Sequence, residues 1–398
     1  MRILQISNKA PYPPNDGSSI AIYNMAQGFI QNEIDLHFLT INTKKHFKSE
    51  DEIPNEFKKR AKYKSIFKNT DVTAKGAFFN LFSSESYFVS RFHFKEFRDE
   101  IELKLKETKF DIIHLEGVFL GDYIPLIRKF SGAKIILRAH NVEHLIWERM
   151  LENAKNPIKK KYLQIQNQRL KNFESNVFSK VDAIITITKY DADFIKKMNP
   201  KLKVYNSPTG IDLQRYKIEK EKLEKGTVFH FGSMDWMPNL EAVKWFLNEV
   251  WKPQFLNQNN LKLVLAGRFM PEQIQKESRG NINVITEVKD NIDFYNCHEI
   301  MLVPLLSGSG LRIKIIEGMA MGKCIVSTGI GAEGIPVTNG KNILIANTKE
   351  EFSKYLTLLS QDDNLKSNLG KEARKFIEEN FDNEKIVKAL IHFYQTLL

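Results

Sequence analysis

The residues whose identities and spacing most clearly indicate a ligand-binding or catalytic role lie between 302 and 328, in the segment LVPLLSGSGLRIKIIEGMAMGKCIVST. An apolar strand ends in a Gly-Ser-Gly turn, and we predict that a helix follows from Leu311 to Gly322. Small residues let backbone amides approach an anion, and the N-terminus of the helix adds positive potential. Arg312 and Lys314 fall in the predicted first turn, where cations are unfavourable unless an anion binds there. The pattern therefore predicts an anion site.

Glu317 lies one to two turns further along the same predicted helix. A carboxylate at this place could accept hydrogen bonds from two neighbouring hydroxyl groups, such as those of a ribose. An anion next to a ribose indicates a nucleotide. The alternative is that Arg312 and Lys314 belong to a solvated helix face that binds no ligand.

The segment KIILRAHNVEHLIWERM contains His140 and His144 in the pattern HxxEH, which occurs in one class of zinc peptidases. Zinc binding through this pattern requires both histidines on one face of a helix. The apolar run that ends at His140 instead predicts a strand, with the helix starting after it. We therefore expect His140 at the end of a strand, and no zinc.

Two further short motifs have simple structural interpretations. Asp191-Ala192-Asp193 matches the metal-binding pattern DxD, but it opens a predicted helix, where aspartates stabilise the N-terminus. We interpret it as helix capping. Asp16-Gly17-Ser18 lies between the first strand and the next helix. Its amides could bind a phosphate, or the residues could simply cap the helix.

The composition excludes disordered and fibrous classes of protein, since 42% of the 398 residues are hydrophobic and 27% are charged. A chain of this length predicts two domains. Cys297 and Cys324 are too few for a disulfide framework and fit a reducing cytosol. The first apolar stretch is short, and no run approaches the roughly 18 apolar residues of a membrane span. We expect a cytoplasmic protein.

The net charge of +11 predicts attraction to phosphates on a nucleic acid, an anionic lipid or a small molecule. Lysines concentrate in the range 44–75 and in a stretch that starts at Lys155. The second stretch carries Ile158, Tyr162 and Ile165, which predict an amphipathic helix with a basic face. This face is either solvated or in contact with anionic membrane lipid. No nucleic-acid reading module accompanies the charge, so we expect no nucleic-acid partner.

Short apolar runs alternate with helical patterns along the chain, which indicates parallel sheets covered on both faces. Five runs precede the connector YNSPTGIDLQRYKIEKEKLEKG: RILQIS, DLHFLTI, FDIIHLEG, KIILRAH and DAIITIT. Six follow it: TVFHFGS, LKLVLAG, INVIT, EIMLVPL, KCIVST and NILIA. We predict an α/β fold of two Rossmann-like, doubly wound domains, 1–206 and 207–382, with a helix at about 383–398 that packs back on the first. Such domains would face a central cleft, where ligands bind.

The block around Glu317 resembles the retaining GT-B glycosyltransferases of family four. The family signature has two glutamates eight positions apart, then a helix of small residues and Gly-Lys-Pro. Glu317, Ala320, Gly322 and Lys323 match this signature, and Cys324 stands where proline is usual.

The first glutamate of the signature falls on Ser309, a departure shared by a branch of the family with the form GSGxRxKxxE. By this resemblance, His140 would contact the donor sugar, and Arg312 and Lys314 would meet the donor diphosphate as the catalytic residues. Ser233 stands where the family commonly has an arginine. The donor-binding residues would be Gly17, Ser233, Arg268, Ser309, Gly310, Leu311 and Glu317.

The resemblance implies transfer of a hexose from a UDP- or GDP-linked sugar, with retention of configuration, to a glycan, a lipid-linked glycan or a polysaccharide precursor. It implies front-face displacement, with no divalent metal and no cofactor besides the donor. Glu143 and His144 would lie near the acceptor, and the protein could contact the inner face of the cell membrane. Two alternatives stay open: a nucleotide-sugar epimerase of the same fold, and a catalytically weak nucleotide-sugar-binding protein.

Overall fold

The structure is a computed structural model that describes residues 1–14, 16–152, 156–256, 260–308 and 310–398. The chain forms two compact units, which are residues Met1–Gly210 together with Asn383–Leu398, and residues Ile211–Asp382. The first stretch thus ends at Gly210, four residues after the expected boundary at 206. Each unit is an α/β fold around one parallel sheet.

The sheet of the first unit has seven parallel strands in the order β3-β2-β1-β4-β5-β6-β7. These strands are β1 Arg2–Ser7, β2 Asp35–Thr43, β3 Lys64–Lys68, β4 Ile112–Glu116, β5 Lys134–Ala139, β6 Ala183–Thr186 and β7 Val204–Asn206. The chain runs outward from β1 to β3 and then returns to the other side of β1 at β4. Ligands of such sheets bind outside the carboxyl ends of the strands at this reversal.

The five inner strands match the apolar runs of the sequence, but β3 and β7 were not predicted. Both lie at the edges of the sheet and are only partly buried, so their residues lack the continuous apolar run of an inner strand. The helices that cover this sheet are α1 Gly17–Gln31, α2 Asn55–Arg60, α3 Ala74–Asn80, α4 Tyr87–Ser90, α5 Lys95–Glu107, α6 Ile124–Phe130, α7 Glu143–Glu152, α8 Pro157–Lys180 and α9 Lys189–Met198.

The second unit holds a six-stranded parallel sheet in the order β10-β9-β8-β11-β12-β13, with its reversal between β8 and β11. The strands are β8 Thr227–Phe231, β9 Lys262–Ala266, β10 Ile282–Ile285, β11 Ile300–Val303, β12 Cys324–Ser327 and β13 Leu344–Ile345. The helices are α10 Met237–Trp245, which continues as a π-helical turn, α11 Lys252–Gln254, α12 Glu272–Gln275, α13 Asn291–Cys297, α14 Ile313–Ala320, α15 Lys349–Gln361 and α16 Asp363–Asn380.

The last helix, α17 Asn383–Gln395, belongs to the first unit although the second unit precedes it in the chain. Val387, Leu390 and Tyr394 are fully buried in the same apolar cluster as Phe29 of α1. A Cβ atom on Gly28 would collide with Val387, so the two helices approach each other as closely as glycine allows. The core of the first unit is therefore closed by the final residues of the chain.

The basic helix α8 buries a different face from the one expected. Leu163, Gln166 and Leu170 are buried, whereas Ile158 is 82% exposed and Tyr162 is only partly covered. Lys155, where the basic stretch begins, lies outside the described residues. No helix in the described part of the chain combines the length and the apolar character needed to cross a bilayer.

Candidate functional site

The second unit places the candidate residues Ser233, Arg312 and Lys314 around the start of α14, next to the carboxyl end of β8. Lys314 Nζ donates a hydrogen bond of 2.8 Å to Asn239 Oδ1, and Asn239 Nδ2 donates one of 2.8 Å to the carbonyl of Ser233. Asn239 lies in the first turn of α10, so one amide side chain links the loop after β8 to α14. Ser233 thus takes part through its backbone, while its hydroxyl donates to Asp235.

Two glycines make this close arrangement sterically feasible. A Cβ atom on Gly232 would lie 2.5 Å from Lys314 Nζ and 2.7 Å from Asn239 Nδ2. Gly267, with φ of +147°, lies directly against the carbonyl of Gly232, where a side chain would collide. The loops that follow β8 and β9 are therefore free of side chains where they meet Lys314.

The surroundings of Lys314 disfavour its positively charged form. Burial, together with the neighbouring Arg312 charge, lowers the pKa of Lys314 to about 7, although Glu317 acts in the opposite direction. A lysine with this pKa is partly neutral near neutral pH. An anion bound beside it would restore its full charge, which is the behaviour expected of a phosphate-binding lysine.

Arg312 does not lie in the first turn of the helix, as the sequence predicted. The helix begins at Ile313 and Arg312 is its N-cap, with φ of −85° and ψ of 86° outside the helical region, so the turn continues two residues further than predicted. Its guanidinium donates to the carbonyl of Gly310 and lies 5.4 Å from the ring centre of Trp236. Gly308 has φ of +119°, and a Cβ there would be 3.0 Å from the guanidinium. Arg312 is thus packed over the turn.

Glu317 is buried on α14 and bound by residues from two other elements. Tyr216 Oη donates a hydrogen bond of 2.8 Å to Glu317 Oε1, and Asn291 Nδ2 donates one of 3.1 Å to the same atom. Burial raises the pKa of Glu317, while the Tyr216 bond and the nearby cations Arg215 and Lys314 oppose that rise. The carboxylate is fixed in position at the end of a buried hydrogen-bonded group.

The first unit contains a second polar cluster, built by strand register. Gln5 pairs with His114, and Glu116 pairs with Arg138, across the adjacent strands β1, β4 and β5. Because side chains alternate along a strand, all four point to one face of the sheet. Glu116 Oε1 accepts a bond of 2.7 Å from Gln5 Nε2, and Arg138 Nη1 lies 3.3 Å from Glu116 Oε2.

His140 follows β5 and joins this cluster at its carboxyl end. Its Nε2 lies 2.7 Å from Glu116 Oε2. Burial opposes ionisation of Glu116, but Arg138, His114 and His140 outweigh it and hold the pKa of Glu116 well below its usual range. An ionised carboxylate only accepts hydrogen bonds, so Nε2 of His140 carries the proton. Burial lowers the pKa of His140, so the ring tends to be neutral.

The last helix, α17, contributes a side chain to the same cluster. Tyr394 Oη lies 2.6 Å from His114 Nδ1, and His114 Nε2 lies 3.2 Å from Glu116 Oε1. All three side chains are fully buried. Residues from β4 and from α17, which are 280 positions apart, therefore support one carboxylate.

The HxxEH pattern is divided between two environments, as the predicted strand end at His140 requires. β5 ends at Ala139 and α7 begins at Glu143. His144 Nδ1 lies 2.5 Å from Glu174 Oε2 on α8, whereas His140 is bound to Glu116. Within the described ranges, no group of three or more His, Cys, Asp or Glu side chains is arranged to hold a metal ion.

Glu143 stands beside this histidine and is held largely uncharged. Its amide donates 2.9 Å to Glu174 Oε1. Burial, reinforced by the charge of Glu174, raises the pKa of Glu143 to about 8. Glu143 is consequently a carboxylic acid near neutral pH and can donate a proton or a hydrogen bond.

The two remaining motifs act as helix N-termini. Asp16 is the N-cap of α1, and its carboxylate accepts from the amides of Ser18 and Ser19 and forms an ion pair with Lys9. Gly17 is the first residue of that helix. The interpretation of Asp191 as a cap was wrong in position: Thr188 is the N-cap of α9, and Asp191 lies in the first turn, where its carboxylate accepts a hydrogen bond of 2.6 Å from the Thr188 hydroxyl.

The other sequence candidates are not all brought together. Gly310 and Leu311 precede Arg312 in the turn before α14. Arg268 lies in the loop after β9 and is exposed, and its carbonyl accepts from the amide of Met234. Ser309 lies outside the described residues.

Several residues of both clusters were missed in the sequence. Asn239, Tyr216 and Glu116 each form a bond to a candidate residue. Glu116 had a readable signal, since it is an acid at the end of a buried strand run, FDIIHLEG. Tyr216 had none, because it lies within the connector and meets Glu317 only through the fold.

Comparison with known proteins assigns the chain to a family. The model for Glycosyltransferase Family 4 matches residues 15–215, just over half of the chain, and the model for Glycosyl transferases group 1 matches residues 225–362. The chain belongs to glycosyltransferase family 4.

Individual proteins are similar over part or all of the chain. An uncharacterized 44.6 kDa protein in the cps region of Klebsiella pneumoniae is 25% identical over 404 residues, which covers 98% of each chain. CapM of Staphylococcus aureus, a capsular polysaccharide biosynthesis glycosyltransferase, is 23% identical over 216 residues, or 49% of this chain and 54% of CapM. The structure of HepE from Anabaena in complex with UDP matches over the whole of both chains, with a TM-score of 0.69 and 11% identity. The fold is thus the two-domain GT-B fold.

Proposed function

We propose that this glycosyltransferase transfers a hexose from a nucleotide-diphosphate sugar to a glycan, with retention of anomeric configuration. The observation that carries the proposal is the group at α14, where a lysine of lowered pKa, an arginine at the helix cap and a fixed buried carboxylate lie along one short helix. These are the groups that a diphosphate and a ribose require.

Each residue of this group has a separate role in donor binding. Lys314 and Arg312, with the amides near Gly310, would stabilise the charge that develops on the leaving diphosphate. Glu317 would accept hydrogen bonds from the ribose hydroxyls. Tyr216 and Asn291 both donate to Oε1 of Glu317, and Tyr295 hydrogen-bonds the same carboxylate, so we assign to the ribose the acceptor capacity that these three side chains leave.

In the first unit, His140 would orient the sugar through Nδ1, since Nε2 is bound to Glu116. Glu116 is fully buried and paired with Arg138, so it is poorly suited to attack the sugar as a nucleophile. This supports front-face displacement, in which positioning and charge stabilisation supply most of the catalysis. No divalent metal and no cofactor besides the donor are included in the proposal.

Similar proteins support the choice of donor and acceptor classes. HepE was crystallised with UDP, which favours a uridine donor over a guanosine donor. CapM acts in capsular polysaccharide biosynthesis, and the Klebsiella relative is described from a cps region. We therefore propose a polysaccharide precursor or lipid-linked glycan as acceptor, for an enzyme in the cytoplasm at the inner face of the membrane.

The test is a transfer assay with purified protein and a panel of UDP- and GDP-sugars, each with and without glycan acceptors. The expected result is acceptor-dependent release of the nucleoside diphosphate. NMR of the product should show that the α configuration of the donor sugar is retained. A matched Glu317→Ala variant should lose this activity. Release of a new sugar isomer without acceptor would identify an epimerase instead. Binding by calorimetry with no turnover across the panel would identify a nucleotide-sugar-binding protein.

A further inference from the structure

Three exposed phenylalanines form a compact aromatic patch on the first unit. Phe78 and Phe79 lie in the last turn of helix α3, which ends at Asn80, and Phe82 follows in the next turn. They are 57%, 60% and 80% exposed, and the ring centres of Phe79 and Phe82 lie 5.9 Å and 5.6 Å from that of Phe78. Single exposed apolar residues are common on proteins, but a contiguous aromatic group marks an interaction surface.

The turn that carries these rings is held rigidly by α8. Arg169 Nη1 donates 2.9 Å to the carbonyl of Asn80, and Nη2 donates 3.1 Å to the carbonyl of Leu81. Gln166 Nε2 donates 2.8 Å to Asn80 Oδ1. These bonds satisfy the carbonyls at the end of α3. The outward position of the rings is therefore built into the structure, which lowers the entropy cost of binding through them.

The helix that braces the patch is strongly basic at its N-terminal end. Residues 157–173 contain Lys159, Lys160, Lys161, Arg169 and Lys171 and no acidic residue. Lys159, seven residues before Gln166, lies on the same face of the helix and about 10–11 Å along its axis from this contact with the turn. The aromatic patch therefore adjoins the cationic end of α8 on one unit.

Ile158 adds an aliphatic component to the basic end of the helix. It is 82% exposed in the first turn of α8, between the N-cap Asn156 and the three lysines. Exposed phenylalanine and isoleucine among lysines have the composition of a segment that lies in a membrane interface. A single-stranded nucleic acid would use the aromatic rings and the lysines but has no use for an exposed isoleucine.

We propose that the first unit binds the surface of an anionic lipid bilayer through a docking surface made of Phe78, Phe79, Phe82 and the α8 residues 158–161. The rings and Ile158 enter the boundary between headgroups and acyl chains, and the lysines contact the anionic headgroups. A second copy of the chain is a poorer partner, because it would bring two cationic helix ends together. The proposal rests on the proposed function in one respect, since it supplies the surface through which the enzyme would bind the inner face of the membrane. Its test requires no donor.

The experiment is co-sedimentation of the full chain with vesicles of phosphatidylcholine alone or with 30% phosphatidylglycerol. We expect binding to the anionic vesicles and weak binding to the neutral ones, with a strong decrease in high salt. The triple variant Phe78→Ser/Phe79→Ser/Phe82→Ser should lower the vesicle partition coefficient roughly tenfold or more. The triple variant Lys159→Glu/Lys160→Glu/Lys161→Glu should do the same.

Matched variants on other faces control for altered stability and net charge. Leu103→Ser removes an exposed apolar side chain from α5, and Lys196→Glu/Lys197→Glu reverses exposed charges on α9. Both should bind vesicles like the unchanged protein, and all variants should keep its melting temperature. Donor turnover with a soluble acceptor and no vesicles should also be unchanged in the serine variant, which separates this proposal from the proposed function.

Three results would overturn the proposal. The first is absence of binding to anionic vesicles, or equal binding to neutral ones. The second is full vesicle binding by the serine variant, which would reduce the surface to its lysines. The third is a dimer in sedimentation velocity, or a tight complex with a single-stranded oligonucleotide, that is lost in the serine variant. Either complex would assign the phenylalanines to another partner.

Discussion

Nε2 of His140 and Oε2 of Glu116 are 2.7 Å apart at the carboxyl ends of two neighbouring strands. Glu116 is kept ionised by the charge of Arg138 and by its hydrogen bonds, so it accepts the Nε2 proton and selects one tautomer of the imidazole. The other ring nitrogen, Nδ1, is then an acceptor for a sugar hydroxyl. The relationship explains why a buried acid stands behind a histidine that we assign to the donor sugar.

Replacing Glu116 by Gln should lower kcat roughly 10- to 100-fold, because the imidazole loses both its tautomer and its orientation. The change also leaves the buried Arg138 without its countercharge, which costs about 3–5 kcal/mol of folding free energy. Steady-state kinetics and 15N NMR of His140 measure the first effect, and thermal denaturation measures the second.

Tyr394→Phe is the matched control for that variant. It removes the hydroxyl beside His114 but leaves the charges in place, so we expect a loss of about 1 kcal/mol and a kcat close to the original. A folded Glu116→Gln enzyme with unchanged kcat and an unchanged His140 spectrum would disprove the positioning role.

Glu317→Ala or Lys314→Ala should raise the donor KM or lower turnover roughly tenfold or more, since a charge-assisted hydrogen bond contributes about 1.5–3 kcal/mol. Glu317→Gln, which keeps an acceptor oxygen, should lose less than Glu317→Ala. Initial-rate kinetics with varied donor decide the matter. Normal kinetics in both alanine variants would remove α14 from the donor site.

Donor binding should be accompanied by proton uptake above neutral pH. Lys314 has a pKa of about 7 without ligand, so it is mostly neutral at pH 8, and a bound diphosphate raises its pKa and restores the charge. We expect an uptake approaching about 0.9 proton at pH 8 and about 0.1 at pH 6. Calorimetry with UDP-glucose in buffers of different ionisation enthalpy measures this number.

Lys314→Met provides the reference for the calorimetric experiment. It should bind the donor more weakly and without the uptake at pH 8. If the variant takes up the same number of protons as the unchanged enzyme, another group is responsible and Lys314 does not meet the diphosphate.

Glu143→Gln should stabilise the protein in alkaline but not in acidic solution. The pKa of Glu143 is about 8 when folded and near its ordinary 4.5 when unfolded, so the folded chain holds the extra proton between these values. Stability therefore falls as pH rises through this window, and an uncharged glutamine removes that loss. Melting temperatures should rise at pH 8, by about 2–4 °C for each kcal/mol of unfolding free energy gained, and stay nearly equal at pH 4.

Glu148→Gln, at a partly exposed position on the same helix, is the control for this comparison. Its carboxylate pairs with Lys171 at the surface, at 3.7 Å, and should contribute little at either pH. An equal effect of Glu143→Gln at both pH values would mean that the protonated carboxyl is not retained in the folded chain.

Sequence patterns predicted the parts of the fold and site that depend on neighbours in the chain. The apolar runs of inner strands and the Gly-Ser-Gly turn before α14 are local signals, so β4 and the placement of Lys314 on a helix could be predicted. The edge strands β3 and β7 could not, because half-exposed residues carry no such run.

The partners of the candidate residues were beyond the sequence for a related reason. Asn239 is 75 positions from Lys314, and Tyr216 is 101 positions from Glu317. Only the packing of α10 and of the connector against α14 brings them together. The position of Arg312 also depended on such packing. Its guanidinium lies over Trp236, and the residue belongs to the turn before α14 and not to the helix.

The closing of the first unit by α17 has a consequence for synthesis on the ribosome. Val387, Leu390 and Tyr394 are synthesised after the whole of the second unit, yet they complete a core that begins with Ile3. The second unit can assemble as soon as it has left the exit tunnel, but the first keeps an unfilled apolar groove along α1 until α17 has followed. A stop codon at Asn383 would therefore damage the half of the enzyme that was made first.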